Sequence, residues 1–207
     1  EDELAQKSQF FPFFTKKYLF SNHHQFDILI DGKNFSSTEH FLFYEKAMKL
    51  GDASLADKIL NAPTAAKAKR LGESQPWDKT KLGSWYQFAY EKLFTANNVK
   101  YDTYADLRKA LFQTAPLTLV EASPYDTYWG VGLHADDPKI HDSNQWLGEN
   151  KFGSLLTKLR NQMMSHDIYL PEVEALKDGA TSTPIQSKGK KRLLDNNSPN
   201  VATKRAP

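Results

Sequence analysis

Few segments of this chain have the pattern of a β-strand, and this limits the fold to helices packed around a small sheet. The stretch QFDILIDGKNF alternates apolar and polar residues before it reaches Asp31-Gly32, the dipeptide most typical of a two-residue hairpin turn. A second segment, LTLVEAS at 117–123, is rich in strand-forming residues and lies between two prolines. The sequence therefore predicts an α+β fold, a mostly helical single domain around a small antiparallel sheet.

Helical patterns occupy much of the remaining chain. The SSTE motif predicts a capping box, with Ser36 capping a helix and Glu39 three residues further on. The further helices predicted from apolar spacing, proline and glycine positions cover residues 53–61, 63–72, 82–96, 101–113 and 150–164.

Charge is distributed unevenly along the chain. The net charge is +2, but the residues from Lys177 onward contain seven basic and two acidic side chains, which gives +5 there and −3 elsewhere. This region has no aromatic residue, a composition typical of disorder. We predict an N-terminal extension at 1–9, one folded domain at 10–170 and a disordered basic tail at 171–207. The tail's KGKKR and later KR resemble a two-part nuclear import signal, and a solvated lysine-containing tail is the alternative.

Several classes of protein are excluded by composition. The chain contains no cysteine, which rules out disulfides and thiol catalysis. No apolar run approaches the roughly 20 residues of a membrane span, and residues 1–9 lack the features of a secretion signal. His134 and His141 lack the spacing of a metal site, so we expect no bound metal. We also expect no cofactor and no contact with a membrane. The expected location is intracellular, in the cytoplasm, with the nucleus as the alternative if the tail directs import.

Two charged residues are placed on the apolar face of the helix that includes STEHFLFYEKAMK. Glu39 and Lys46 are seven residues apart, so they point within about 20° of each other on a helix. A partly buried lysine has a lowered pKa, and its neutral amine is a nucleophile that forms Schiff bases with carbonyl carbons. The alternative is that Glu39 only closes the capping box and Lys46 extends its head group to water.

A second cluster of polar residues lies in LVEASPYDTYWGVG. Alternation places Glu121 on the same strand face as two leucines, and Asp126 follows five residues later. Two carboxyl groups beside the flat surface of Trp129 suit the cleavage of a glycosidic bond, because one can protonate the leaving group. Taken singly, each of these residues also fits a purely structural role.

Read together, these motifs resemble one known family. The ordered series FSN, I-DGK-F-STEH, EKA, A-LG, LVEASPYDTYWGVG and N-FG-LL-LR closely resembles the NADAR family, also called YbiA-like, over residues 10–163. The resemblance implies an N-glycosidase that cleaves the bond between an anomeric ribose carbon and a nitrogen. The substrate implied is either an early riboflavin-pathway intermediate or ADP-ribose attached to guanine of nucleic acid.

The resemblance also implies roles for individual residues. For the ADP-ribosyl-guanine reaction it implies a lysine Schiff base to the ribose, and Lys46 in EHFLFYEKA is the matching residue. Glu39 is then expected to tune or deprotonate Lys46, and Glu121 or Asp126 to protonate the departing base. The residues expected to bind the substrate are Asn22, Arg70, Trp129, Gly130, Gly132 and Asn150, the last by presenting a helix N-terminus to phosphate. For Arg70, an arginine on a solvated helix surface is an equally good interpretation.

The sequence departs from the family pattern in three places. His23 follows SN where an aromatic residue is usual, and Glu73 stands where a basic residue often follows the glycine. The loop HADDPKIHDSNQW at 134–146 is longer than in compact members and is predicted to form a lid or to alter substrate choice.

The sequence is also compatible with three other functions. The riboflavin intermediate is the alternative substrate. A non-catalytic module that binds ADP-ribose is a second alternative, and its basic tail would recruit partners such as the import machinery. Non-specific binding of nucleic acid by the tail is the third, and its affinity would fall steeply with salt.

Overall fold

The computed structural model describes residues 9–15, 18–74 and 85–178. Within these ranges the chain forms four short strands and seven α-helices. The strands are β1 (Phe10–Phe13), β2 (Ile28–Ile30), β3 (Lys33–Phe35) and β4 (Thr118–Glu121). The helices are α1 (Thr38–Lys49), α2 (Ala53–Leu60), α3 (Ala65–Glu73), α4 (Trp85–Thr103), α5 (Ala105–Phe112), α6 (Lys151–Met164) and α7 (Leu170–Asp178). None of the helices in this part of the chain has the length and apolar character needed to cross a membrane.

The predicted hairpin is confirmed. Strands β2 and β3 pair antiparallel, with Ile28 opposite Phe35, and both of these side chains are buried. Asp31 and Gly32 connect the strands with φ of 49° and 73°, the left-handed conformations that a type I′ turn requires. The alternating pattern therefore predicted correctly that Ile28 and Ile30 lie on the buried face of the hairpin.

The α+β class is also confirmed, but the strand pairing differs from the prediction in one respect. Strand β4 pairs with β1, which was not predicted, and the pair is parallel. Pro12 lies within β1, where the strand has β4 as its one described neighbour, and proline is tolerated at such an edge. The sheet content of the described residues is thus two separate pairs, one antiparallel and one parallel.

The N-terminus of α1 corrects the predicted capping box. Ser37, not Ser36, caps the helix, and its side-chain oxygen accepts a hydrogen bond from the His40 backbone N–H at 3.0 Å. The Glu39 backbone N–H instead donates to the carbonyl of Asn22 at 3.2 Å. The Glu39 carboxylate is therefore not used for capping and extends from the first turn of α1.

The boundary between α4 and α5 lies later than predicted. Instead of helices at 82–96 and 101–113, α4 continues to Thr103, because its residues from Ala96 to Tyr101 include several that are fully buried. Residues 82–84 lie outside the described ranges. Helix α5 begins after Tyr104, whose backbone N–H still bonds the Lys100 carbonyl.

Helix α7 was not predicted and occupies the first part of the proposed disordered tail. Residues 170–178 are helical, and Glu172 accepts two hydrogen bonds from the Arg108 guanidinium of α5, at 2.6 and 2.9 Å. The ordered domain therefore extends to at least residue 178. The rest of the predicted tail, 179–207, and nearly all of the predicted N-terminal extension lie outside the described residues.

Lys100 of α4 attaches the segment before the hairpin to the core. Its side chain is fully buried, and its ammonium donates to the Leu19 carbonyl at 2.6 Å and lies 4.5 Å from the Phe26 ring centroid. Burial lowers the pKa of Lys100 to about 7. This contact holds the chain that runs on to Asn22 and His23.

A close approach of α6 to β4 gives a stability prediction. A Cβ on Gly153 would lie 2.3 Å from the Leu119 carbonyl oxygen and 2.4 Å from the Asn150 side chain. Because backbone cannot move aside cheaply, Gly153→Ala is expected to destabilise the protein by roughly 2–4 kcal/mol. Urea unfolding measures this change. Ser154→Ala, at the exposed neighbouring position, is the matched control, and equal stability of the two variants would contradict the packing argument.

Candidate active site

A cavity of about 1260 Å³ lies where α1, α3, α4, α6 and the end of β4 meet the segment before the hairpin. Pockets for small molecules usually measure roughly 300–1,000 Å³, so this one has room for a ligand with several rings and phosphates. The side chains that carry its chemistry are Lys46, Glu39, His23, Lys69, Glu73, Glu121 and Asp126.

Lys46 projects from α1 into this cavity and is half-buried. Its ammonium lies 5.1 Å from the ring centroid of Trp85, the first residue of α4. Burial lowers the pKa of Lys46 from its ordinary value, and the negative charge of Glu73 acts in the opposite direction. A lowered pKa increases the fraction of neutral amine, which is the nucleophilic form.

Glu39 lines the same cavity, and its carboxylate is held from two sides. One oxygen lies 2.5 Å from Nδ1 of His23, and the other lies 3.5 Å from the Lys69 ammonium. Its side chain is 13% exposed, so the carboxylate is largely removed from water. The predicted direction of Glu39 into the apolar side of α1 therefore matches the structure, but its ion-pair partners are His23 and Lys69.

The cationic residue that α3 contributes is one position away from the predicted one. Arg70 is exposed and is not among the cavity-lining residues, whereas Lys69 lines the cavity and lies between Glu39 and Glu73. Successive helical residues point about 100° apart, so a choice between neighbours depends on how the helix packs. The sequence pattern of residues 63–72 predicts a helix but does not determine how that helix is rotated about its axis.

Glu121 and Asp126 form an acidic pair at the carboxyl end of β4. Burial raises the pKa of Glu121 to about 8, and the nearby Asp126 charge adds to this effect. One Asp126 oxygen accepts hydrogen bonds from the backbone N–H groups of Tyr128 and Trp129, at 2.9 and 2.8 Å. At neutral pH Glu121 is therefore mainly protonated and able to donate a proton into the cavity that both residues line.

The glycine-containing turn supports this pair rather than lining the cavity. Gly130 is buried, and a Cβ there would lie 2.9 Å from the Glu121 carbonyl and 3.0 Å from the Asp126 carbonyl. Gly132 has a φ of 69° and packs against Leu147. Both predicted ribose-binding glycines thus lie behind the cavity wall, where they allow the backbone to pack closely.

Asn150 also has a different position from the one predicted. It is 1% exposed, and its side-chain amide accepts from the Glu121 N–H and donates to the Leu119 carbonyl, each at 3.0 Å. Its amide is used inside the protein, so it does not present hydrogen-bond donors to a phosphate. Instead it fixes β4, and with it the backbone that carries Glu121.

Other predicted residues are divided between the cavity and the interior. Trp129 and Asn22 line the cavity. The Asn22 side-chain oxygen accepts from the Thr38 hydroxyl at 2.7 Å. The 134–146 loop does not contribute to the described lining. Its Ile140 is buried, and Trp146 packs on Phe10, which corrects the prediction of a lid.

The structure thus brings together Lys46, Glu39, Glu121, Asp126, Trp129 and Asn22 from segments that are distant in sequence. It adds three residues that sequence analysis did not assign to the site, namely Lys69, Glu73 and His23. The last two were noted only as departures from the family pattern.

The structure is an α+β domain with a half-buried lysine and a carboxyl group of raised pKa in one large cavity. The NADAR domain family model matches residues 3–164, and the chain belongs to this family.

The chain is similar to proteins of several sources. It is 33% identical over 164 residues to N-glycosidase R617 of Acanthamoeba polyphaga mimivirus, a match that covers 75% of this chain and 85% of that protein. It is 31% identical over 144 residues to N-glycosidase YbiA of Escherichia coli, covering 70% and 80%. The NMR structure of Escherichia coli YbiA superposes with a TM-score of 0.60 at 27% identity, over 81% of this chain and 89% of that one. A riboflavin biosynthesis protein of Vibrio vulnificus is 29% identical over 72% of this chain, but the match spans only 36% of that longer protein.

Proposed function

We propose that the protein is an N-glycosidase that hydrolyses the C–N bond at the anomeric carbon of a ribose phosphate. The proposed substrate is ADP-ribosyl-guanine and the product is free ADP-ribose. The observation that carries the proposal is the presence, in one cavity, of a lysine whose pKa is lowered and a carboxyl group whose pKa is about 8. The names of the mimivirus and Escherichia coli relatives support the reaction class.

In the first half of the proposed reaction, the Lys46 amine forms a bond to ribose C1. The bond from C1 to the base nitrogen breaks, its electron pair stays on that nitrogen, and the nitrogen takes the proton of Glu121. Glu121, now a carboxylate, takes one proton from the lysine nitrogen that is bonded to C1. It gives this proton to the ring oxygen as the bond between C1 and the ring oxygen breaks. The product is an iminium ion that joins Lys46 to the open sugar.

In the second half, water hydrolyses this iminium ion. Water adds to C1, and the proton that it loses passes to the nitrogen of the resulting carbinolamine. The C–N bond then breaks as the carbinolamine hydroxyl becomes the aldehyde, and the hydroxyl proton goes to the departing amine, which leaves as an ammonium group. The liberated aldehyde closes to ADP-ribose, and return of the ammonium proton to Glu121 restores the starting state. No other co-reactant is required.

Borohydride trapping tests the proposed intermediate. Wild-type protein incubated with ADP-ribosylated guanosine and borohydride should gain one ADP-ribosyl mass, reduced at C1, and peptide mapping should place it on Lys46. The adduct should be missing without substrate. A modification at another lysine, or turnover without any trapped adduct, would overturn the assignment.

The size of the cavity favours the larger of the two candidate substrates. A sugar phosphate bearing one pyrimidine needs no space for adenosine, whereas the cavity exceeds the usual volume of a small-molecule pocket. The name of the Vibrio vulnificus relative favours the riboflavin intermediate. Because of the cavity volume, we expect a higher kcat/KM for ADP-ribosylated guanosine than for the riboflavin intermediate in a direct comparison. The opposite order would support the alternative substrate.

Lys69 is proposed to bind the anionic phosphates of the substrate. It is the cation of α3 that reaches the cavity, and it lies 3.5 Å from Glu39 and 3.7 Å from Glu73. Lys69→Ala is expected to raise KM about tenfold, the effect of losing roughly 1.4 kcal/mol of charge-assisted bonding. Arg70→Ala is the matched control on the adjacent, exposed position, and it should leave KM within about twofold. A larger effect at Arg70 than at Lys69 would contradict this assignment.

A further inference from the structure

His23 and Glu39 form a carboxylate–imidazole pair at the edge of the cavity. Nδ1 of His23 lies 2.5 Å from one Glu39 oxygen, and Lys69 approaches the other oxygen. The carboxylate is 13% exposed, whereas the imidazole is 46% exposed. The pair therefore joins a largely buried anion to a ring that solvent reaches.

The contact with Glu39 occupies one of the two ring nitrogens of His23, Nδ1. A carboxylate at Nδ1 favours the tautomer with its proton on Nδ1, since that nitrogen then donates the hydrogen bond. Nε2 lies on the far side of the ring and carries the lone pair. Since His23 lines the cavity, its basic nitrogen is available to a molecule bound there.

Lys46 and the imidazole of His23 line the same cavity. Glu39 and Lys46 lie on one face of α1, with their α-carbons about 10 Å apart along the helix axis. Side chains on a helix tilt towards its N-terminus, which is the direction from Lys46 to Glu39. A sugar carbon attached to Lys46 would therefore occupy the same cavity as the imidazole.

We propose that His23 is the general base that activates the water in the second half of the reaction. This inference rests on the proposed function, because it acts on the Lys46 iminium. Nε2 takes one proton from water while the water oxygen bonds to C1 and the C=N electron pair returns to nitrogen. The imidazolium then gives that proton to the nitrogen as the C–N bond breaks. Glu39 stabilises the transient positive charge.

Glu121 and His23 are assigned to different steps of the reaction because their exposure to solvent differs. Glu121 lies at the end of β4 in a site dry enough to raise its pKa to about 8, which suits protonation of the departing base. His23 is nearly half exposed, so water from solvent reaches the cavity beside it. One group thus serves bond cleavage and the other serves hydrolysis.

Single-turnover kinetics with ADP-ribosylated guanosine test this role. In His23→Phe, release of guanine should stay within about threefold of wild type, while release of ADP-ribose should slow by roughly 10²-fold, the usual contribution of a general base. The borohydride-trapped fraction on Lys46 should rise accordingly. Added imidazole should restore ADP-ribose release in His23→Ala, which a merely structural role would not allow.

His134→Ala is the matched control. His134 lies 3.4 Å from Asp136 in an exposed imidazole–carboxylate pair that is not part of the described cavity lining. Its removal should change neither half-reaction. His23→Gln provides a second variant that keeps polarity without the base, and thermal melting verifies that each variant is folded.

The outcomes separate this inference from the proposed function. If wild type never yields a trapped adduct, the Schiff-base function itself fails. If wild type is trapped on Lys46 but the His23 variants neither accumulate adduct nor respond to imidazole, only the role of His23 fails. Equal slowing of guanine and ADP-ribose release in His23→Phe would likewise overturn it.

Discussion

Lys46→Ala is expected to reduce turnover of ADP-ribosylated guanosine by at least roughly 10³-fold. Loss of a covalent nucleophile removes the intermediate itself, so the effect exceeds that of losing one hydrogen bond. Binding of ADP-ribose should remain measurable, since Lys69, Trp129 and Asn22 still line the cavity. Product formation by chromatography and ligand binding by calorimetry provide the two measurements.

The control for this variant lies on the same helix. Lys49 is exposed, and its ammonium lies 4.6 Å from the Phe88 ring centroid, with no part in the described cavity lining. Lys49→Ala should therefore retain near wild-type kcat. If Lys46→Ala kept more than a tenth of the activity, direct attack by water would replace the covalent mechanism. If wild type bound ADP-ribose but never formed it from substrate, the protein would be a binding module.

Local sequence patterns predicted the parts of the fold that depend on neighbouring residues. The hairpin followed from alternation and the Asp31-Gly32 turn, because a two-residue loop fixes the register of both strands. The common direction of Glu39 and Lys46 followed from helical periodicity alone. Both predictions depend only on residues that are a few positions apart in the sequence.

The features that were missed depend on contacts between distant segments. The parallel pairing of β1 with β4 joins residues more than 100 positions apart, and FFPF has no alternation to indicate it. Lys69 and Arg70 are equivalent in sequence until packing fixes the rotation of α3. Asn150 resembled a helix cap, but its left-handed backbone and bonds to β4 give it an interior role.

Glu39 shows how a small error in local structure changes the chemical interpretation. With Ser36 as the cap, Glu39 would have been used to bond the helix N-terminus, and Lys46 would have lost its nearest predicted partner. Capping by Ser37 leaves the Glu39 carboxylate in the cavity. The same carboxylate then orients His23, a residue that stood out in the sequence only as a departure from the family pattern.

Glu121→Gln is expected to lower kcat by roughly 10²–10³-fold, because glutamine keeps the shape but cannot protonate the departing base. The wild-type rate should rise with pH as Lys46 loses its proton and then fall as pH passes through about 8, where Glu121 ionises. The variant should lose the fall near pH 8. A wild-type profile that kept rising above pH 9 would contradict the assignment of Glu121 as the acid.

The same substitution should stabilise the protein at alkaline pH. The pKa of Glu121 is about 8 in the folded state against an ordinary value of 4.5, so the folded protein retains a proton that the unfolded chain has released. This contribution to stability is fully present below about pH 4.5 and is lost as pH rises through 8. Glutamine carries no charge at any pH, so Glu121→Gln should melt roughly 10 °C above wild type at pH 8.5 and nearly with it at pH 4.5. Thermal melting at both values measures this difference, and a gap that did not grow with pH would show that Glu121 ionises as it does in water.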